Sequence, residues 1–356
     1  MFNQIINPIP KTHFGRKSIS ILRKIKQKRI LIIFSKTIEK NGFLDKVKEQ
    51  LLDKEVNCIS PNHNNLEELN EVCNVAGNTE VIISLGGGSI LDFSKLLRIK
   101  LDNPEANLEQ INPLLDLNKN IPLIAIPTTP STGSQVTPIA IIFDKEKNEK
   151  RIFLNEALIP DRVILDPQFL STINKRQMAE FICDIFAHSV ESYLSRLSNF
   201  FIKNLAEMNI KNLVDNWKEY NQKEPIDSDI LDKIAINGQI GGICQGNAYV
   251  GIIHAIVHQL EVLKGISHSR ALLNVISPCL EWYLKTTNNE IYSKFLDSFN
   301  QMKLGEYYED ILSGVDTEEL AIRTLKEPSI KTSPVIFNEE MVKEVIQWIS
   351  MKKSMS

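Results

Sequence analysis

Three of the six histidines in this chain occur close together, at His254, His258 and His268. His254 and His258 are four residues apart, so on a helix they share one face. Imidazole binds divalent metal ions and also transfers protons near neutral pH. A single histidine in an apolar segment would more simply be a core residue, but three at this spacing predict a metal site or a proton relay.

Asp184 and His188 form a second pair with the same spacing, flanked by Ile, Cys, Phe and Ala. A carboxylate buried on such a helix face needs a partner, and a cation is the strongest one. The two pairs, together with His268, therefore predict one divalent-metal site. Since a catalytic ion must leave room for substrate, we expect that one of the histidines is not a ligand.

A second candidate site begins at the consecutive glycines 86–88, which follow the apolar run VIISL and precede a helical pattern. Glycines at such a turn let the backbone approach a ligand, and the first amides of the helix attract phosphate. The pattern is neither GxGxxG nor a P-loop. A tight turn without a ligand is therefore the alternative. The next strand ends in hydroxyl residues within 126–137. Consecutive parallel strands open onto one crevice, so the two segments together predict a dinucleotide site.

Short apolar runs alternate with helical patterns in the first half of the chain, which predicts a parallel sheet wrapped by helices. Strands are expected at residues 29–34, 56–60 and 121–129, at the VIISL run, and at RVILDP, with a hairpin just before the last. The later pattern is helical almost throughout. We therefore predict an α/β plus all-α protein. A Rossmann-like parallel-sheet domain, residues 1–171, precedes an all-helical metal-binding domain, residues 172–356.

The composition argues against several classes of partner. A formal net charge of −3 over 356 residues favours neither nucleic acid nor an anionic membrane. No apolar run reaches the roughly 18–20 residues of a membrane span, and the first residues lack the apolar core of a signal peptide. The five cysteines are scattered without CxxC spacing, so we expect reduced thiols and a cytoplasmic protein.

Five segments in order resemble the iron-containing (group III) alcohol dehydrogenase family, across about residues 12–285. They are GGGSxxDxxK at 86–95, PTTxxTGSxxT at 127–137, PDRVILDP at 160–167, DxxxHxxE at 184–191 and HxxxHx9H at 254–268. The resemblance implies a divalent ion, Fe²⁺ or sometimes Zn²⁺, and the dinucleotide NADP(H) or NAD(H). It also implies a small alcohol or aldehyde as substrate, and we expect a homodimer.

The resemblance further implies roles for individual residues. The metal ligands would be Asp184, His188, His254 and His268. His258 would lie near the substrate and help to move its proton without binding the metal. The residues implied to bind the dinucleotide are Gly86, Gly87, Gly88, Ser89, Asp92, Thr128, Thr129, Thr132 and Lys150, with Asn62 near the adenosine.

One departure from the family and one arginine bear on specificity. An acidic residue commonly follows the first strand and accepts the ribose hydroxyls of NAD, whereas Ser35 stands here. Serine cannot repel the extra phosphate of NADP, so we expect NADPH to be accepted at least as well as NADH. Arg270, two residues after the last ligand, either selects an anionic aldehyde or is an ordinary surface arginine at a helix start.

The sequence thus predicts a metal-dependent, NAD(P)-linked alcohol dehydrogenase or aldehyde reductase. One alternative is a lyase of the same fold superfamily, similar to the dehydroquinate synthases, which also use NAD and a metal. Its ligand pattern differs, so the Asp184–His188 pair argues against it. Another alternative is a catalytically inactive binding protein, which would predict broken ligands, and all four are present.

Overall fold

The computed structural model describes residues 6–145, 147–222 and 226–352. Contacts divide these residues into two compact units. An α/β unit comprises residues 6–173 and 226–246, and a helical unit comprises residues 174–222 and 247–352. The break between residues 173 and 174 lies two residues from the boundary that the sequence indicates.

Strands of the α/β unit form a parallel sheet and a separate antiparallel hairpin. The sheet strands are β1 Lys11–Phe14, β2 Arg29–Phe34, β3 Glu55–Ile59, β4 Val81–Gly86, β5 Leu123–Pro127 and β8 Arg162–Leu165. The hairpin consists of β6 Ile139–Asp144 and β7 Glu149–Leu154. Sheet order is β1-β8-β5-β4-β2-β3, with all pairs parallel. The order reverses beside β2 and β4, and α/β sheets bind ligands where the order reverses.

The helices of this unit are α1 Lys36–Lys40, α2 Phe43–Lys48, α3 Leu66–Val75, α4 Gly88–Asp102 and α7 Ser228–Ala248, of which α7 ends just inside the helical unit. Both faces of the sheet are buried, as β2 shows. Ile30 and Ile32 pack into one core cluster, and Leu31 and Ile33 pack into another. A strand buried on both faces needs a continuous apolar run, which is why RILIIF forms an interior strand of this sheet, between β4 and β3.

The helical unit contains α5 Lys175–Leu194, α6 Phe200–Gln222, α8 Ile252–Lys264, α9 His268–Thr287, α10 Glu290–Asn300, α11 Thr317–Lys326 and α12 Glu339–Lys352. The predicted class, a parallel-sheet domain followed by a helical one, is confirmed. Across the described residues, no single helix combines the length and apolarity needed to cross a membrane. Only the bent pair of α7 and α8, taken together, passes on length and composition.

Two elements differ from the sequence prediction. Residues 226–246, which the prediction assigned to the helical domain, pack with the α/β unit because two glycines of α7 let its backbone touch the loop after β5. A Cβ on Gly238 would lie 1.5 Å from the carbonyl oxygen of Pro130, and one on Gly242 would lie 2.6 Å from the Cα atom of Gly133. Strand β1 was not predicted, because KTHF lacks an apolar run; it pairs with β8 at the edge of the sheet.

Candidate metal centre and cofactor site

Helix α5 carries the first half of the candidate metal centre. Asn174 begins the helix with a reciprocal capping box to Gln177. Ten residues further along, Asp184 and His188 occupy one face, and both side chains are buried. The Nε2 atom of His188 lies 3.3 Å from Oδ1 of Asp184. The four-residue spacing thus produces the contact that the sequence predicts.

Helices α8 and α9 supply the second half. Gly265, with a φ of +67°, ends α8 in the left-handed conformation, and Ser267 begins α9. This short turn brings His268, the first residue of α9, back beside His254. Their Nε2 atoms lie 3.8 Å and 3.7 Å from Oδ1 of Asp184. Three imidazole nitrogens therefore converge on one carboxylate oxygen.

The convergence has the dimensions of a metal site. An ion bound tetrahedrally at about 2.1 Å holds its ligand atoms about 3.4 Å apart, close to the distances found here. Oδ1 of Asp184 and Nε2 of His254 are buried, and no described residue hydrogen-bonds to either atom. A buried polar atom without a hydrogen bond calls for a partner, and an ion supplies one. The residues fit a divalent cation.

The charges of the centre are strongly coupled. Burial alone would raise the pKa of Asp184, but His188, His254 and His268 together hold it well below its usual range. Burial would likewise lower the pKa of His254, yet Glu191 and Asp184 raise it to about 9. Both shifts have the same origin, the close approach of carboxylates and imidazoles at this centre.

His258 faces a different partner. Its Nδ1 atom lies 3.1 Å from Oε1 of Glu327, and Gln259 donates to the other oxygen of that carboxylate at 2.9 Å. His258 is buried. His188, His254 and His268 meet around Asp184, and the group of His258, Glu261 and His268 also has the spacing to hold an ion, so His258 lies directly beside the centre. Its position beside the centre is compatible with the predicted role as a proton handler.

Sequence reasoning did not assign three carboxylates that contact these histidines. Glu191 lies 2.5 Å from Nδ1 of His254, and Glu261 lies 2.8 Å from Nδ1 of His268. Glu191 follows His188 by three residues, and Glu261 follows His258 by three residues. This spacing places each carboxylate on the histidine face of its helix, and the sequence could have indicated that. Glu327 offered no such signal, because it is far from His258 in the chain.

The glycine turn and the hydroxyl loop meet in the α/β unit. Gly86 ends β4, and α4 begins at Gly88. A Cβ on Gly88 would lie 2.8 Å from Cγ2 of Thr132, and the amide of Thr128 donates to the carbonyl of Gly86 at 3.0 Å. The structure thus brings together the two segments that the sequence singles out. Their binding of a diphosphate stays a prediction.

A cavity of about 250 Å³ lies at the same end of the sheet. Ser35, Asn62 and Ser89 contribute to its lining, together with Lys36 and His63. Nζ of Lys36 donates to Oδ1 of Asn62 at 2.7 Å. Of the described residues that line the cavity, none is acidic. No other carboxylate in this lining therefore takes the place of the acidic residue that is missing at Ser35.

Asp92 and Lys150 are not among the described residues that line that cavity. The carboxylate of Asp92 accepts hydrogen bonds from Ser134 and from the amide of Ile141, and Lys95 lies 3.7 Å away. Burial raises the pKa of Asp92. Lys150 lies on β7, opposite Phe143. The contacts of Asp92 secure α4 to the hairpin, and a role of either residue toward a dinucleotide stays a prediction.

Arg270 is engaged on the surface. Its Nε atom donates to both oxygens of Glu309, at 3.0 and 2.9 Å, and Arg176 pairs with the same carboxylate. The side chain of Arg270 is about half exposed. Of the two interpretations of this residue, the ordinary surface arginine is the one that these contacts favour.

The fold and the centre together define a class of two-part proteins, in which a parallel-sheet unit is combined with a helical unit that carries an aspartate and three histidines. Residues 10–167 match the family model described as iron-containing alcohol dehydrogenase. Residues 179–317 match the one described as Fe-containing alcohol dehydrogenase family, C-terminal. The chain belongs to the iron-containing alcohol dehydrogenase family, which confirms the resemblance seen in its motifs.

Individual relatives agree. The chain is 30% identical over 280 residues to the aldehyde-alcohol dehydrogenase of Streptococcus pneumoniae, an alignment that covers 73% of this chain and 32% of that protein. It thus spans about a third of the length of that relative. It is 24% identical to an alcohol dehydrogenase of Thermococcus barophilus, with 93% and 95% covered. The structure of an alcohol dehydrogenase from Oenococcus oeni has a TM-score of 0.87 at 23% identity, covering 96% and 98%, and has the same fold.

Proposed function

We propose that the chain is a metal-dependent oxidoreductase that interconverts a small alcohol and its aldehyde with NAD(P)(H). One observation carries the proposal: three imidazole nitrogens lie 3.3, 3.7 and 3.8 Å from a single buried oxygen of Asp184. Membership of the iron-containing alcohol dehydrogenase family supports the same reaction class. The ion is Fe²⁺ in this proposal, and Zn²⁺ is the alternative that the same donors accept.

The chemistry divides between the bound groups and the chain. When bound, a divalent ion would polarise the substrate oxygen, and the nicotinamide would carry the hydride. Asp184, His188, His254 and His268 would hold the ion, and Asp184, His188 and His254 are buried. Burial removes competing water and strengthens every charge interaction at the centre.

The proton is assigned to His258. Reduction of an aldehyde adds a hydride to carbon and a proton to oxygen, so the site needs a group that delivers the proton. Glu327 contacts Nδ1 of His258, and we assign the exchange of this proton to the other ring nitrogen, Nε2. Glu327 itself is held by Gln259, so the ring keeps one orientation.

The dinucleotide is assigned to the α/β unit. The amides at the start of α4, after Gly86 and Gly87, would bind the diphosphate. Thr128, Thr129 and Thr132 would bind toward the nicotinamide. The cavity lined by Ser35 and Asn62 would receive the adenosine end, and with no acidic residue in its described lining it would admit NADPH as well as NADH.

A direct assay tests the proposal. The purified protein, loaded with Fe²⁺ without oxygen, is supplied with NADH or NADPH and a panel of neutral and anionic aldehydes, and nicotinamide absorbance is followed. Consumption of the reduced cofactor with matching alcohol formation is expected. Cofactor binding and full metal content without turnover would contradict the proposal and favour the inactive binding protein. Substrate conversion without net cofactor oxidation would favour the lyase.

Two further properties are tested by separate measurements. The aldehyde panel identifies which small alcohol or aldehyde is the substrate. The homodimer stays a prediction, and sedimentation velocity of the loaded protein would test it. Neither result affects the assignment of the metal centre.

A further inference from the structure

Two of the histidines around Asp184 carry a carboxylate on their outer ring nitrogen. Oε2 of Glu191 lies 2.5 Å from Nδ1 of His254, and Oε2 of Glu261 lies 2.8 Å from Nδ1 of His268. In each ring the proton is therefore held at Nδ1, and Nε2 faces Asp184. A carboxylate in this position fixes the ring and increases the basicity of the nitrogen that binds metal.

Glu191 is anchored at both oxygens. While Oε2 contacts His254, Oε1 accepts a hydrogen bond from the amide of Ile253 at 2.8 Å. That amide belongs to the first turn of α8, where the helix dipole favours a negative charge. Glu191 itself lies on α5 and is 5% exposed. It thus joins the helix that carries Asp184 to the helix that carries His254.

Gly251 makes this anchoring possible. It directly precedes α8, and a Cβ at this position would lie 3.0 Å from Oε1 of Glu191 and 2.8 Å from Oγ of Ser333. A side chain at this position would therefore require the Glu191 carboxylate and the Ser333 hydroxyl to shift by a few tenths of an ångström. The absence of a side chain at residue 251 and the position of Glu191 are therefore linked.

Glu261 holds His268 less firmly. Its side chain is 17% exposed and that of His268 is 26% exposed, so water competes for the hydrogen bond between them. An interaction that is open to solvent contributes less than the same interaction when buried.

We propose that Glu191 and Glu261 are positioning residues that set the affinity of the centre for its divalent ion, with Glu191 the stronger of the two. The inference rests on the proposed function, because it requires that His254 and His268 bind the ion. Gly251 acts in the same direction as Glu191, through the space that it leaves for the carboxylate.

The test measures the dissociation constant of Zn²⁺, a redox-inert probe, on metal-free full-length protein by competition with a chromogenic chelator. Glu191→Gln keeps the shape but has one acceptor oxygen for two donors, and is expected to weaken binding 10- to 100-fold. Glu261→Gln is expected to weaken binding by a smaller factor. Gly251→Ala is expected to weaken Zn²⁺ binding, as Glu191→Gln does, although it removes no charge. Melting curves show whether each variant is folded.

Glu327→Gln is the matched control. It removes the same charge from the same kind of imidazole contact, but on His258, which is not proposed to bind the ion. The Zn²⁺ dissociation constant of Glu327→Gln should stay within about twofold of the parent value. Parent-like affinity in folded Glu191→Gln and Glu261→Gln would overturn the inference, as would equal weakening by Glu327→Gln. A folded parent that binds no Zn²⁺ or Fe²⁺ would instead overturn the proposed function.

Discussion

Nδ1 of His258 lies 3.1 Å from Oε1 of Glu327, and the two residues are 69 positions apart in the chain. Both side chains are buried, so water does not compete for this contact. His254, one helical turn earlier, has its own carboxylate partner in Glu191. Neighbouring histidines of α8 are therefore held by different carboxylates, and this separates a metal-binding ring from a proton-handling one in the proposed function.

Replacement of His258 tests that separation. His258→Ala should lower the turnover rate by about 10- to 10⁴-fold, the range over which general acid–base groups contribute. It should retain the metal, because Asp184, His188, His254 and His268 remain. Elemental analysis of the purified variant, together with steady-state rates, checks both parts. Metal loss from His258→Ala with retention in His254→Ala would reverse the two assignments.

Replacement of Asp184, a proposed metal ligand, should remove the metal as well as the turnover. Asp184→Ala leaves the three imidazoles without their common carboxylate, so both metal content and turnover should fall to background. Circular dichroism should show the helical content preserved. His63→Ala, a histidine of the α/β unit, serves as the control and should keep the metal. Full metal content in Asp184→Ala would show that the ligand set is wrong.

The choice of dinucleotide is tested at Ser35. Ser35→Asp places a carboxylate in the cavity that also contains Lys36 and His63, where it would repel the extra phosphate of NADPH. We expect the KM for NADPH relative to NADH to rise by about 10- to 100-fold, equivalent to about 1.4–2.8 kcal/mol. Ser35→Asn, of similar shape but neutral, should change the ratio little. A parent enzyme that strongly prefers NADH would show that another residue reads the ribose.

The packing of α7 is tested at Gly238. A methyl group there would lie 1.5 Å from the carbonyl oxygen of Pro130, a backbone atom that has little freedom to move. Gly238→Ala should therefore lower the free energy of unfolding by about 1–3 kcal/mol or more, measured by urea denaturation. Gly305→Ala, where a Cβ meets nothing within 4 Å, should stay within about 0.5 kcal/mol of the parent. Equal stability of the two variants would contradict the packing.

Strands with strong local patterns could be predicted from the sequence. β2 has the predicted bounds, residues 29–34, because its apolar run is buried on both faces. β1 could not be predicted, since Lys11 and Thr12 form a strand only through pairing with β8 at the sheet edge. The position of α7 was equally hidden, because a helical pattern does not reveal which unit the helix packs against.

The metal centre shows the same division. The spacing predicts the contact of Asp184 with His188 and the turn that returns His268 toward His254, because these are local features of one or two helices. The approach of the two pairs is a tertiary contact, which the need of a buried carboxylate for a cation suggested. The partner of His258 could not be predicted, since only the tertiary fold brings Glu327 to α8. Arg270 was ambiguous for the same reason: its partner Glu309 follows α10 rather than lying on its own helix.

The α/β unit is built from two separate stretches of the chain, residues 6–173 and 226–246, so a growing chain can complete this unit only after the second stretch has been synthesised. Strand β1 has no neighbour in the sheet until β8 has been synthesised, because Lys11 pairs with Arg162. Helix α7 covers Pro130 and Gly133 only after residues 226–246 have emerged. Contacts of such long sequence separation form slowly. An isolated fragment that stops at residue 173 would contain all six sheet strands yet leave the loop after β5 without the helix that packs on it, so the first half of this chain depends on the second for part of its own packing.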